Sequence, residues 1–419
     1  MTELEKRIRV LYVCPWAHWG GHYPEAVKKE SLALLEAGAE VSICTFRGIL
    51  DQEEPQIVPH RSVVSSWIGF PLGILTYLLH LIPKGEYLAG LLEQFATLCL
   101  AVKLRKILRY DVIYLRDGDP FVCTPFLLGL VLEHYNWAVN LVGQKAVRAP
   151  DSLLSSLFCR FINAPIWKPI YLRSFSKNRF AFLCENEYVK EFFEAKFLDG
   201  ILSGRLTVVS LGVKKTSKYI LQREARQYLG LPEDKAVFLH FGVLHQGKDI
   251  ETVLDAIRDV PDALVVHAGE VRPWANRIQL GKHSDLQGNV IIRNCYIPEA
   301  EKQYYFAAAD AIILSYKKDS LAGKSILWEA ARFKLPAIAS DVGDLGELVR
   351  RYKIGLVFEA EDVASLRSAL FDFLGSSHGQ REAMVSNCEH FCDDFSTNTW
   401  AGRCIKIFTE LCGHTSREK

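Results

Sequence analysis

The chain carries no excess of charge of either sign. Its 419 residues hold 50 Lys and Arg against 49 Asp and Glu, a formal net charge of +1. Such a balance gives no whole-protein field for nucleic acid, and no nucleic-acid partner is expected. Cysteine with metal-ligand spacing is also missing. Eleven cysteines are scattered, and their closest group, Cys388-Glu-His390-Phe-Cys392, reads as one stretch of helix, so no metal site is expected. A secretory leader is not seen either: MTELEKRIRV is charged and runs straight into the apolar VLYVC. With an odd cysteine count, that points to a reducing cytoplasm. No run is long enough to span a bilayer. Trp67 to Pro83 is apolar and uncharged but short, and Gly69, Pro71 and Gly73 interrupt it. Two readings of it stand, a buried helix or a surface that touches lipid or a greasy acceptor. The dinucleotide fingerprint GxGxxG is absent as well.

What is present is strand and helix in alternation, twice over. The length exceeds one ordinary core, and the composition, 49% hydrophobic and 24% charged, is globular. Residues 8–15 read as a first parallel strand, 24–37 as a helix and 40–46 as the next strand. The loop between them holds Gly20 and Gly21, which suit either close approach of a ligand to the backbone or a plain tight turn. A helix is expected over 85–108. A buried strand from Asp111 then ends in Arg116 and Asp117, either site residues at a sheet edge or a surface turn. Residues 121–175 read as apolar and helical, and 153–175 interleaves basic with aromatic residues, a second candidate membrane or hydrophobic-acceptor face. Strand, helix, strand follow at 180–184, 187–197 and 206–211. The polar, basic stretch 214–234 marks a boundary. Strands are then expected at 236–241, 263–268, 290–293, 310–316 and 355–358, with helices at 249–260, 299–309, 361–375 and 400–412. The expected fold class is α/β, two doubly wound Rossmann-like domains facing across a cleft. Residues 1–213 would form the first Rossmann-like domain and 214–395 the second, with a helix over 396–419 packing back toward the first.

Leu314 to Val349 is the most informative stretch. It reads strand, loop, helix, strand, loop, helix. The first loop, Asp319-Ser320-Leu321-Ala322-Gly323-Lys324-Ser325, is small-residued, carries a lysine and sits where a helix begins. Free N–H groups and the positive end of the helix dipole suit an anion there. Glu329 follows one and a half turns in, placed for a sugar hydroxyl. A diphosphate site with an acidic sugar ligand is the direct reading.

In FGVLHQGKDIETVLDAI, VVHAGE, CYIPEAEKQYYFAAADAIILSY, SLAGKSILWEAARFKLPAIASDVGDLGELV and IGLVFEAEDVASLRSAL, in that order, the second half resembles the C-terminal domain of a GT-B glycosyltransferase of family 4. The resemblance implies a retaining transferase. It would move a sugar from a nucleotide sugar, UDP- or GDP-linked rather than ADP-linked, to an acceptor held by the N-terminal half. No further cofactor or metal is implied. It places Lys248 on the donor diphosphate, Glu329 on the ribose, and Tyr296 and Ile297 at the base, with Gly242, His245, Ser320, Gly323, Lys324 and Ser325 around the phosphates. Val243 stands where the family has arginine, and Leu321 where it has the first glutamate of its E-x7-E pair. Arg116 stands where relatives carry an acceptor-side histidine, leaving His22 or His18 as substitutes. The expected catalytic set is therefore Lys248, Glu329, Arg116 and His22, with Gly20 and Gly21 near the donor. The acceptor is a glycan, a lipid-linked or another hydrophobic molecule, and the location cytoplasmic, at the inner face of a membrane. A GT-B epimerase or phosphorylase and a non-catalytic GT-B scaffold are the rival readings.

Overall fold

A computed structural model describes residues 7–18, 23–47, 60–64, 69–81, 86–117, 135–141, 168–177, 179–196, 200–210, 212–213, 219–244, 247–271, 288–318, 320 and 324–413. The chain divides into two compact units, residues 1–212 with 397–419, and residues 213–396.

The first unit is built on a parallel sheet of β1 (Arg9–Cys14), β2 (Glu40–Thr45), β3 (His60–Ser62), β4 (Val112–Leu115), β5 (Asn136–Leu141), β6 (Arg179–Cys184) and β7 (Leu206–Val208). Its order is β3-β2-β1-β4-β5-β6-β7. Helices α1 (Tyr23–Glu36), α2 (Gly69–His80), α3 (Glu86–Leu108), α4 (Lys168–Lys177) and α5 (Glu187–Lys196) connect the strands. Successive residues of β1 serve opposite cores. Val10, Tyr12 and Cys14 pack on one face, Leu11 and Val13 on the other. A strand covered on both sides has no polar alternation, which is why these segments read as continuous apolar runs.

Within 121–175, the stretch read as helical, the structure holds β5, a strand with five of its six residues buried. A short apolar run that will be covered on both faces carries no period to distinguish strand from helix. Trp137 stacks on Phe180 of the neighbouring β6 at 6.5 Å, a pairing available only once the register is set.

The second unit repeats the plan with β8 (Ala236–Phe241), β9 (Ala263–Ala268), β10 (Val290–Arg293), β11 (Ala311–Leu314), β12 (Ala337–Ser340) and β13 (Gly355–Phe358), ordered β10-β9-β8-β11-β12-β13. Its helices are α6 (Gln222–Leu229), α7 (Ile250–Ile257), α8 (Glu299–Ala308), α9 (Lys324–Arg332), α10 (Leu345–Tyr352), α11 (Val363–Gly375) and α12 (His378–Asp394). Helix α6 lies inside the polar stretch read as a boundary. Its buried face is small, Ala225 and Arg226, and Arg226 is fastened by Asp310 at 2.8 Å and by the carbonyls of Ala308, Pro232, Glu233 and Lys235. Cys388 and Cys392 sit in the apolar core beside Phe391.

The last helix, α13 (Thr397–Gly413), belongs to the first unit. Trp400, Ala401, Cys404 and Phe408 form its apolar stripe at helical spacing and complete the core around Tyr12 and Tyr114.

In both sheets the order reverses between the first strand and the fourth, at β1/β4 and at β8/β11. In open parallel sheets ligands bind beyond the carboxyl ends of the strands at this switch point. The loops after β1, β4, β8 and β11 are therefore where a site belongs.

Candidate active site

At the β8/β11 switch point the chain leaves β8 through Gly242, with φ of 90°, and returns to pair Lys248 with Tyr316 just beyond β11. Asp249 then caps α7, its Oδ1 accepting from the Thr252 N–H at 3.2 Å. These contacts pin Lys248 between two strand ends. The residue is 7% exposed, and its Nζ donates to the Phe241 carbonyl. Burial pushes its pKa down to about 7.

Two loops meet at this point. A Cβ on Gly269, after β9, would lie 2.3 Å from the Gly242 carbonyl oxygen, and one on Gly242 would lie 3.3 Å from Lys248 Nζ. Only glycine lets these backbones approach. Gly269→Ala is expected to destabilise the second unit by about 3 kcal/mol, since backbone and not a flexible side chain must give way. Chemical denaturation of the variant checks this.

Beneath the lysine lies a histidine pair that sequence reasoning missed. His240 and His267 are in register on β8 and β9, each 1% exposed, with their Nδ1 atoms 2.8 Å apart. His267 Nε2 lies 3.2 Å from the Gly269 carbonyl. A carbonyl only accepts, so Nε2 carries the hydrogen, and His267 Nδ1 accepts from His240 Nδ1–H. Burial, then the nearby Lys248, pushes the His267 pKa down to about 4. The signal was a histidine at the next-to-last position of each strand, in FLHF and VVHA, meaningful only once the register is known.

Between β11 and α9, Ser320 is 7% exposed and its Oγ has no partner. Ser325 is exposed in the first turn of α9. Glu329, on the same helix, is half-buried, with Oε2 3.2 Å from Lys302 Nζ and 3.4 Å from Arg332 Nη1. Tyr296, after β10, is 68% exposed. The Ile297 side chain is packed into the core of the second unit. His245 and Gly323 lie outside the described residues, as does the Lys324 side chain.

The first unit carries its own charged switch point. Arg116, directly after β4, is 1% exposed. Its Nε donates to Glu30 Oε1 at 3.0 Å and its Nη1 to Asp117 Oδ2 at 2.5 Å. The Tyr12 hydroxyl donates to Glu30 Oε2 at 2.6 Å. Burial works against the guanidinium charge, but Asp117 and Glu30 override it and hold the Arg116 pKa well above its usual value. Expected as a site residue at this edge, Arg116 is placed as an internal brace between β1, α1 and β4. Asp117 takes a left-handed φ of 57° to reach it. Gly20, Gly21 and His22 lie outside the described residues.

The family described as glycosyl transferases group 1 matches residues 222–391. No curated protein sequence matches the chain. Solved structures resemble it over nearly its whole length. A sucrose-phosphate synthase from Thermosynechococcus elongatus has a TM-score of 0.68 at 16% identity, covering 97% of this chain and 100% of that one. A glycosyltransferase from Rickettsia africae has a TM-score of 0.66 at 14% identity, covering 97% and 98%. The Anabaena protein HepE, in complex with UDP, has a TM-score of 0.68 at 14% identity, covering 96% and 100%. The match falls within the second unit, and the chain shares with these structures the GT-B fold of two doubly wound sheets.

Proposed function

We propose that the chain transfers a sugar from a nucleotide-sugar donor, bound by the second unit, to an acceptor bound by the first, with retention of anomeric configuration. The observation that carries this reading is the buried amine of Lys248 at a switch point, inside the segment that matches the family. When the anomeric carbon–oxygen bond breaks, the electron pair stays on the nucleoside diphosphate. A preorganised ammonium group stabilises that growing charge more in the transition state than before it. The N-terminus of α9, beginning at Lys324, adds the positive end of a helix dipole. Glu329 is assigned to the ribose hydroxyls and Tyr296 to the face of the base. Lys302 and Arg332 hold the Glu329 carboxylate as an acceptor for such hydroxyls. Thermal shift with UDP, GDP and ADP tests the donor half: stabilisation by UDP or GDP is expected, and no response to any nucleotide sinks it. The anomer of the product, read by proton NMR, tests retention.

The acceptor is assigned to a lipid-linked or otherwise hydrophobic class, at a membrane surface on the cytoplasmic side. Helix α2 supports this. Ile74, Leu75, Tyr77 and Leu78 fall on one face, and with Leu81 in the turn after the helix they are 47% to 65% exposed. The opposite face is fixed by Arg47, which donates to the Gly73 carbonyl and the Thr76 hydroxyl. An apolar helix face of this kind suits insertion among lipid headgroups. Among the described residues no helix is long and apolar enough to cross a membrane. Leu78→Glu is expected to weaken co-flotation with phosphatidylglycerol vesicles about tenfold or more. Unchanged flotation would remove the membrane part of the proposal.

A further inference from the structure

The charge stabilisation assigned to Lys248 makes no use of the histidine pair below it. By the alternation of their strands, His240 and His267 share the face of Phe238 and Val265, in the core beneath α7 and α11. Imidazoles in such a core are costly unless their N–H groups are paired. Here the pairing runs in one direction. His240 Nδ1–H donates to His267 Nδ1 at 2.8 Å, and His267 Nε2–H donates to the Gly269 carbonyl at 3.2 Å. The far end of this chain leads back to the lysine. Gly269 packs on Gly242 so closely that a Cβ on it would lie 3.0 Å from the Gly242 Cα. The two loops are also joined by the Gly242 N–H to the Ala268 carbonyl and the Leu244 N–H to the Glu270 carbonyl, each at 2.8 Å. A Cβ on Gly242 would meet Lys248 Nζ at 3.3 Å, and Nζ donates to the carbonyl of Phe241, the residue after His240. The path from the histidines to the amine is therefore continuous.

The chemistry of the pair suits this place. A lysine or arginine could also tie down the Gly269 carbonyl, but its charge would oppose that of Lys248. The imidazole supplies the donor without the charge, since burial and then Lys248 keep His267 neutral. His240 selects the tautomer. With the hydrogen on the other nitrogen, His267 would aim a lone pair at the Gly269 carbonyl, and two acceptors repel. We propose that His240 and His267 are positioning residues: as a neutral pair held in one tautomer, they clamp the loop after β9 onto the loop after β8, and this clamp keeps Lys248 buried and aimed at the donor diphosphate. The inference rests on the reading above, that Lys248 meets that diphosphate.

The test uses the full chain with lysine labelled at Cε, so that NMR follows the titration of Lys248 without any ligand, and Lys248→Ala identifies its signal. In wild type the amine should titrate at about 7. His267→Leu is expected to move that titration up by about one pH unit or more, because loosened loops admit water to the amine. His267→Gln, whose amide still donates to the Gly269 carbonyl, should stay near wild type, a rescue that mere filling of the core would not produce. His240→Asn keeps a donor for His267 Nδ1 and should likewise stay, where His240→Leu does not. Calorimetry with UDP and GDP gives the second readout. At about pH 6, where both amines are charged, His267→Leu should bind roughly tenfold more weakly than wild type. The gap should close toward pH 9, because only the variant keeps its charge there. A folded His267→Leu chain with the wild-type Lys248 titration overturns the clamp, as does a His267→Gln chain displaced as far as the leucine variant. A moved titration with wild-type affinity at pH 6 overturns the aim at the diphosphate. A wild-type chain that binds neither nucleotide fails the transferase reading, a separate result, and the ligand-free titration still decides the clamp. Should no leucine variant fold, nitrogen NMR of histidine-labelled wild type decides. His267 must keep a protonated Nε2 and a bare Nδ1 from about pH 5.5 to 9, and the other tautomer or an imidazolium overturns the proposal.

Discussion

Lys248→Ala is expected to weaken nucleoside diphosphate binding by about 10- to 100-fold and to lower kcat by about 100- to 1,000-fold. The first figure is the loss of a charge-assisted hydrogen bond to phosphate, the second the loss of a group aimed at developing charge. Titration calorimetry and initial rates measure the two separately. The sign of the pH dependence follows from the burial of Lys248. Burial has brought the Lys248 pKa down to about 7, so above pH 7 the amine is largely neutral. A diphosphate restores its charge, and binding then takes up a proton. Affinity should fall as pH rises from 7 to 9, by at most tenfold per unit. Lys248→Ala should flatten that slope. In the empty protein the unfolded chain binds more protons than the folded one between about pH 7 and the ordinary lysine value, so this group makes stability rise with pH across that window. Binding and stability thus move in opposite directions with pH. A nucleotide affinity that ignores pH from 7 to 9 would mean that Lys248 does not meet the phosphates.

The second large effect concerns stability. Arg116→Met should cost about 3 to 5 kcal/mol in the folding of the first unit, because it leaves Glu30 and Asp117 buried without their cation. The penalty comes from the stranded carboxylates more than from the lost attraction. Adding Glu30→Gln to Arg116→Met should therefore recover part of it. Urea unfolding followed by near-UV signals checks both. If the double variant were less stable than the single one, the brace would not be electrostatic in origin.

How much of this was legible beforehand depends on where each signal lies. Strands covered on both faces announce themselves as apolar runs, so β1, β8, β9 and β11 read directly. The same property hid β5, since NWAVNL has no period to separate it from the apolar residues around it. Helix α6 was hidden for another reason. Its core contact is Arg226, a charged residue satisfied by carbonyls that only the fold brings near. The lysine of the second site was legible as a family position, but its burial was not, because its walls come from β8, β9 and the bridge at Tyr316. His240 and His267 are 27 residues apart and meet only through register. His18 and Glu93 are 75 apart and meet only because α3 crosses the end of β1. Arg116 shows the converse case. A charge at a strand end looked open, yet Glu30, 86 residues earlier, closes over it.

The paired ends of the second unit bear on how this chain is made. Val213 donates its N–H to the Phe395 carbonyl and bridges Ser396, so the unit begins and ends at one place. It is an unbroken insert of the chain between the first unit and that unit's own closing helix, α13. On the ribosome the insert can finish folding as soon as its last strand and helices emerge. The first unit, although synthesised earlier, must wait with Tyr114 and its neighbours uncovered until Trp400 and Phe408 arrive. Order of synthesis and order of completion are therefore reversed. A chain that stopped after residue 396 would leave the later unit whole and the earlier one unfinished.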